Sequence, residues 1–170
     1  MTQINPTSLS QIMADIDLGP GGGIQLMFAK LQMAQSQLCK TQADDYMKQI
    51  QDIQEEQKKC ADMIAKAREL QNEAKTNDAG YTHMPDDMVQ FFKDRGLSYD
   101  TKGNDTKHNN DEWEYNLKSL TNYQEQIGSK TQTLMVYLQD FIGQYNSFLQ
   151  GANTAIANAN QVLTSIARGQ

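Results

Sequence analysis

Between Trp113 and Ile166 apolar residues recur in alternating steps of four and three with no break in the spacing, which restricts this part of the chain to a long helix packed along its length. The seam reads Trp113, Leu117, Leu120, Gln124, Ile127, Thr131, Leu134, Leu138, Phe141, Tyr145, Phe148, Ala152, Ala155, Ala159, Val162 and Ile166, and only Gln124 and Thr131 are polar. A second apolar row, Met135, Ile142, Leu149, Ile156 and Leu163, stands beside it at every e position. An a, d and e face is wider than a two-stranded coil covers, so this helix is expected to contact more than one partner. From Thr131 to Gln170 the only charged side chains are Asp140 and Arg168. A solvated helix face normally carries Lys and Glu, so the outward face is expected to be covered by other subunits or turned into an enclosed space. The pattern points to assembly rather than catalysis.

Composition narrows the partners. At 170 residues one domain is the expectation. The net charge of -6 leaves no basic patch to follow a phosphate backbone, so nucleic acid is not an expected partner. No run of about 18 apolar residues occurs, so no membrane span is expected. Met1 to Leu18 has neither an early cation nor an apolar core, so it does not read as a Sec signal. Cys39 and Cys60 are expected on one helix, about 30 Å apart at 1.5 Å per residue, too far to pair with each other. Cys60 falls on an apolar seam and reads as a small buried hydrophobe.

Four segments follow along the chain. Residues 1–23 read as a disordered export segment ending in Gly19-Pro20-Gly21-Gly22-Gly23, which forbids helix before Ile24. Residues 24–75 read as a long helix without Gly or Pro. Its first stripe is Ile24, Met27, Leu31, Ala34 and Leu38. Its second is Ala43, Tyr46, Ile50, Ile53, Gln57, Cys60, Ile64 and Ala67. The change between Leu38 and Ala43 is a register discontinuity. The opposite face is charged, with Glu55–Lys59 and Asp62–Lys66 spaced for pairing along the helix. Residues 76–110 read as a small insert: a turn at Asn77-Asp78-Ala79-Gly80, a short helix from Pro85-Asp86-Asp87 to Gly96, a short strand around Leu97 to Tyr99, and an exposed loop from Ser98 to Asn110. Residues 111–168 read as the long C-terminal coiled-coil helix. The fold class expected is all-α: two long antiparallel helices forming a coiled coil, with a small central insert containing a short helix.

Little in the sequence carries chemistry. His83 and His108 lack metal-ligand spacing or a cysteine partner and read as loop histidines. Gly21-Gly22-Gly23 lacks the strand and the Gly-Lys-Ser/Thr ending of a phosphate-binding loop. Asp86 and Asp87 are explained by the helix start they occupy. No catalytic residue, cofactor or metal is expected. Gly143, Gly151, Ala152, Ala155, Ala157 and Ala159 lower the bulk of the last helix and favour close lateral packing, at a cost of up to about 1 kcal/mol per glycine in helix propensity.

Leu26-Met27-Phe28-Ala29, followed by Met33-Ala34-Gln35-Ser36-Gln37-Leu38, resembles the EspA/SseB family of filament and sheath translocators of bacterial type III secretion. Met84-Pro85-Asp86-Asp87-Met88-Val89 through Gly96-Leu97 resembles that family's short central helix. The resemblance implies self-polymerisation through the long helices and a place on the end of a secretion needle protein. It implies a hollow conduit for unfolded effectors, contact with pore-forming translocators, and a dedicated cytosolic chaperone before export. The assembling residues would be Leu26, Phe28, Leu31, Leu38, Tyr46, Ile50, Ile53, Cys60 and Ile64 with the two C-terminal rows. Neutral side chains between 132 and 165 would line the conduit. The Gly-rich break replaces a longer N-terminal region, which leaves open a long filament or a short tip-like or sheath-like structure. Two alternatives stand beside this reading: a cytosolic coiled-coil chaperone or adaptor of a secretion apparatus, and a closed needle-tip oligomer.

Overall fold

The computed structural model describes residues 6–17 and 23–169. The chain is mostly helical. In order it runs α1 (Pro6–Asp15), α2 (Ile24–Thr76), β1 (Thr82–His83), α3 (Asp86–Asp94), a 3₁₀ turn at Lys102–Asn104, β2 (Lys107–His108) and α4 (Asn110–Arg168). It divides into two compact units. One takes the chain up to Gln49 and from Leu134 onward, and the other runs from Ile50 to Thr133.

In the first unit α2 and α4 pack antiparallel. The Cys39 thiol reaches Gln144 Oε1, the Tyr46 ring lies 5.8 Å from that of Tyr137, and Gln32 lies against Gly151. These contacts step by seven residues on both helices, from 32 to 39 to 46 and from 151 to 144 to 137. Tyr46 also stacks on Phe141 with ring centres 5.5 Å apart.

The segment read as disordered contains α1, a correction to that expectation for Pro6–Asp15. Proline is favoured at a helix start, and Leu9, Ile12, Met13 and Ile16 follow at three- and four-residue steps. Ile16 is buried. The expected break at 19–22 lies outside the described residues.

The second unit holds the large apolar core. Cys60, Ile64, Ala67 and Ala74 of α2 join Met84, then Met88, Phe91 and Phe92 of α3, then Trp113, Leu120 and Ile127 of α4. Burying a Phe, Leu or Met side chain contributes roughly 1.5–3 kcal/mol, so this cluster dominates the unit's stability. α3 starts after Pro85 with Asp86 and Asp87 in its first turn. It ends where the Leu97 N–H reaches Phe92 O and the Gly96 N–H reaches Lys93 O. That closure needs the φ of +61° that Gly96 adopts without steric cost.

Three further expectations need correction. No strand forms at Leu97 to Tyr99; the two strands among the described residues are β1 and β2, paired antiparallel with Thr82 opposite His108. The exposed loop expected from Ser98 to Asn110 includes His108, which is buried, and Asp100, whose N–H is bound by the buried Asn116. Lys66 does not turn along its own helix to Asp62. It crosses to Asp87 of α3 at 2.9 Å, an exposed pair of the kind that contributes about 0–1 kcal/mol.

A more sheltered ion pair joins Glu56 of α2 to Arg95 after α3. Nη2 of Arg95 donates to Oε2 at 2.8 Å, Nε donates to Oε1, and the Tyr123 hydroxyl donates to Oε1 at 3.0 Å. Arg95 also lies 3.7 Å above the centre of the Phe91 ring. The Arg95 hydrogen bond, with help from Tyr123, holds the Glu56 carboxyl below the usual range despite partial burial. A depressed carboxylate contributes stability that is present above the unfolded value of about 4.3 and is lost as pH falls through the folded one. Glu56→Gln is therefore expected to cost about 1–3 kcal/mol at neutral pH and to flatten the acid limb below about pH 4.3 in circular-dichroism unfolding. An unchanged acid limb would contradict this assignment.

Candidate functional site

The first unit buries small side chains and exposes large ones. Apart from Ile16 and Leu134, its buried residues among those described are Ala29, Ala34, Ser36, Cys39, Ala43, Ala152, Ala155 and Ala159. Of the large apolar side chains exposed on the described chain, all but Tyr115 belong to this unit. They include Ile24 at 87% exposure, Met27, Phe28, Met135, Val136, Ile142, Val162, Leu163 at 56% and Ile166 at 59%. Alanine on facing helices lets them approach closely and leaves the longer side chains no interhelical space to fill. Gly23, Ile24 and Leu26 share a groove with Ala159, Val162 and Leu163. Ile24 and Phe28 line another with Gly151 and Ala155. Isolated apolar side chains on a surface need no explanation; here Ile24, Leu26, Val162 and Leu163 line one groove together.

The seam residues divide by position. Trp113, Leu120, Ile127 and Leu134, seven apart, are buried, and Leu117 and Leu138 are half-buried. Phe141, Tyr145 and Phe148 are half-buried, Ala152 is buried, and Val162 and Ile166 are exposed. In the e row Met135, Ile142 and Leu163 are exposed while Leu149 and Ile156 are half-buried. On α2, Leu26, Leu31, Leu38, Tyr46 and Ile53 are half-buried, Phe28 is exposed, and Ile50, Cys60 and Ile64 are buried. The residues singled out for assembly thus include several that build the second unit's own core: Trp113, Leu120, Ile127, Cys60 and Ile64. Among the described residues no helix is long and apolar enough to cross a membrane.

Both cysteines are free and buried. Cys60 donates to the carbonyl oxygen of Leu120 at 3.4 Å, and burial pushes its thiol up to about 11. Burial, then Asp140, raises the Cys39 thiol. Reactivity follows the thiolate, so a disulfide reagent at pH 8 is expected to modify both thiols far faster in urea than in the native protein. Equal native and denatured rates at Cys60 would place it outside the core.

The start of α4 carries features that sequence reading missed. Asn109 caps the helix: its Oδ1 accepts from the N–H groups of Asp111 and Glu112, and Glu112 Oε2 accepts from the Asn109 N–H at 2.9 Å. This reciprocal arrangement is a capping box. His108, just before the cap, packs edge-on against Trp113 with ring centres 5.2 Å apart. The Trp113 indole N–H donates to Thr82 Oγ1 at 2.8 Å, and that hydroxyl donates to Leu70 O. Asp100, His108 and Glu112 each place one ligand-type atom within 4.8 Å of the others. Burial lowers the His108 proton affinity, against the opposing pull of Asp100, Glu112 and Asp105. His108 is therefore not the loop histidine that the sequence suggested. His83 is exposed beside Thr106.

No protein-family model, curated protein or solved structure matches the chain.

Proposed function

We propose that this chain is a secreted structural protein that assembles with its own copies into a filament or sheath extending a type III secretion needle, as a conduit for effectors and translocators. The observation that supports it is the first unit's set of exposed large apolar side chains on helices that bury mainly alanine. A second copy is the occupant that matches such a surface most directly, because each copy brings the same apolar rows. The near absence of charge from Thr131 onward supports the same reading, since subunits stacked through this face bring few like charges together. The seven-residue contact steps on α2 and α4 support a coiled coil within each subunit, with the segment between the two helices as a small insert. The type III setting rests on the resemblance of segments 26–29, 33–38 and 84–97 to the EspA/SseB family. With it come the needle protein, the cytosolic chaperone and the pore-forming translocators as partners.

A heterologous interface that does not close generates a fibre, whereas one that closes generates a ring. Negative-stain electron microscopy of purified protein over a concentration series separates the two. Hollow fibres are the expected result. Closed rings would favour a needle-tip oligomer, and a dimer of fixed size would favour a chaperone or adaptor.

A further inference from the structure

We propose that Asp100, His108 and Glu112 form a binding site for a single divalent transition-metal ion of the zinc type, which ties β2 and the first turn of α4 to the segment following α3. The three side chains offer one nitrogen and two carboxylate oxygens, all mutually within 4.8 Å. Zinc bonds of about 2.0–2.2 Å in tetrahedral geometry set neighbouring ligand atoms roughly 3.4 Å apart. Nδ1 of His108 and Oδ2 of Asp100 are 3.7 Å apart, a few tenths of an ångström from that spacing and too long for a good hydrogen bond.

The second observation is the imidazole itself. His108 is 1% exposed, and neither of its ring nitrogens has a hydrogen-bond partner. Buried polar atoms are nearly always satisfied, and one that is not calls for an explanation such as a bound ion. Coordination through one nitrogen supplies a partner and fixes the ring's tautomer.

The ligand residues are held in place: Asp100 Oδ2 accepts from the Lys102 N–H at 3.2 Å, and Glu112 Oε2 accepts from that of Asn109. The Asp100 N–H donates to Oδ1 of the fully buried Asn116 at 2.7 Å. Glu112 spends one oxygen in the capping box, which leaves the other for a metal. Asp100 and Glu112 also line an open cleft of about 490 Å³, enough for the ion's water ligands and for its entry. Lys102 lines the same cleft and is exposed. Two carboxylates and a neutral imidazole carry a charge that a divalent cation balances. The nitrogen ligand selects zinc-type ions over calcium or magnesium, which take oxygen.

The test uses the full chain, stripped with chelator and titrated with zinc chloride by calorimetry. Cobalt absorption reports coordination geometry, and the fluorescence of Trp113, the only tryptophan, reports from beside His108. One equivalent of zinc is expected to bind saturably and raise Tm by several degrees. Asp100→Asn and Glu112→Gln are each expected to weaken binding at least tenfold. Glutamine also serves at this position of a capping box, so Glu112→Gln should keep the metal-free fold and Tm. His83→Ala should bind like the parent. Absence of saturable one-equivalent binding, or parent-like affinity in both carboxylate variants, overturns the site. Loss of binding in His83→Ala would do the same. The outcome is independent of self-assembly, since all three ligands lie in the second unit.

Discussion

Replacing Leu163 and Ile166 together by lysine is expected to abolish self-assembly while leaving the subunit folded. Both side chains are more than half exposed in the subunit, so the exchange removes little internal packing. Lysine is a good helix former, and a cation near a helix C-terminus interacts favourably with the dipole, so α4 should not weaken at its end. In an assembled interface the same exchange forfeits about 1.5–3 kcal/mol per lost apolar side chain and adds two charges to a desolvated surface. A loss of at least about 3 kcal/mol per contact corresponds to a weakening of more than 100-fold. Unchanged far-UV circular dichroism and thermal midpoint, with the large species gone from sedimentation, is the expected pair of results. Assembly indistinguishable from the parent would remove this end of α4 from the interface.

The largest expected loss of subunit stability comes from Trp113→Ala. Trp113 is fully buried in the core that α2, α3 and α4 share, and its indole N–H is satisfied by Thr82. Truncating a buried Trp or Phe to Ala costs about 3–5 kcal/mol through lost burial and the cavity left behind. Total stabilities run to about 5–15 kcal/mol, so the variant should sit near its folding threshold. Trp113→Phe keeps most of the apolar volume and loses one hydrogen bond, with an expected cost of about 1–2 kcal/mol. Urea titration followed by circular dichroism measures both. A cost below about 1 kcal/mol for Trp113→Ala would mean that the ring is not the core residue its burial indicates.

The long helices were legible because their signal is long. A periodic seam from Trp113 to Ile166 and a Gly- and Pro-free run from Ile24 to Thr76 leave few alternatives, and Gly96 marks the end of α3 through the positive φ it supplies. Short elements escaped. β1 and β2 are two residues each, too short to show alternation, and they depend on Thr82 meeting His108 across the chain. α1 spans only ten residues, so Leu9, Ile12, Met13 and Ile16 carry the helical spacing over too short a run to stand out. The burial of His108 follows from that strand pairing and from Trp113, neither of which its own sequence neighbourhood displays. The Asn109–Glu112 capping box is readable from an Asn three residues before a Glu, but Asn109 closes a polar run that reads as loop. The apolar rows announced a wide face, but not that the second unit would bury its large residues while the first would bury alanines. That division depends on which side chains α3 covers, and α3 belongs wholly to the second unit.

Sedimentation velocity of the purified protein over a hundredfold concentration range tests the central claim most directly, because a subunit with an uncovered apolar face should associate by mass action. The expected result is a weight-average mass that climbs above the 19.2 kDa subunit as concentration rises and that stays at the subunit value in the Leu163→Lys, Ile166→Lys variant. A parent protein that sediments as a monomer throughout would contradict the assembly reading.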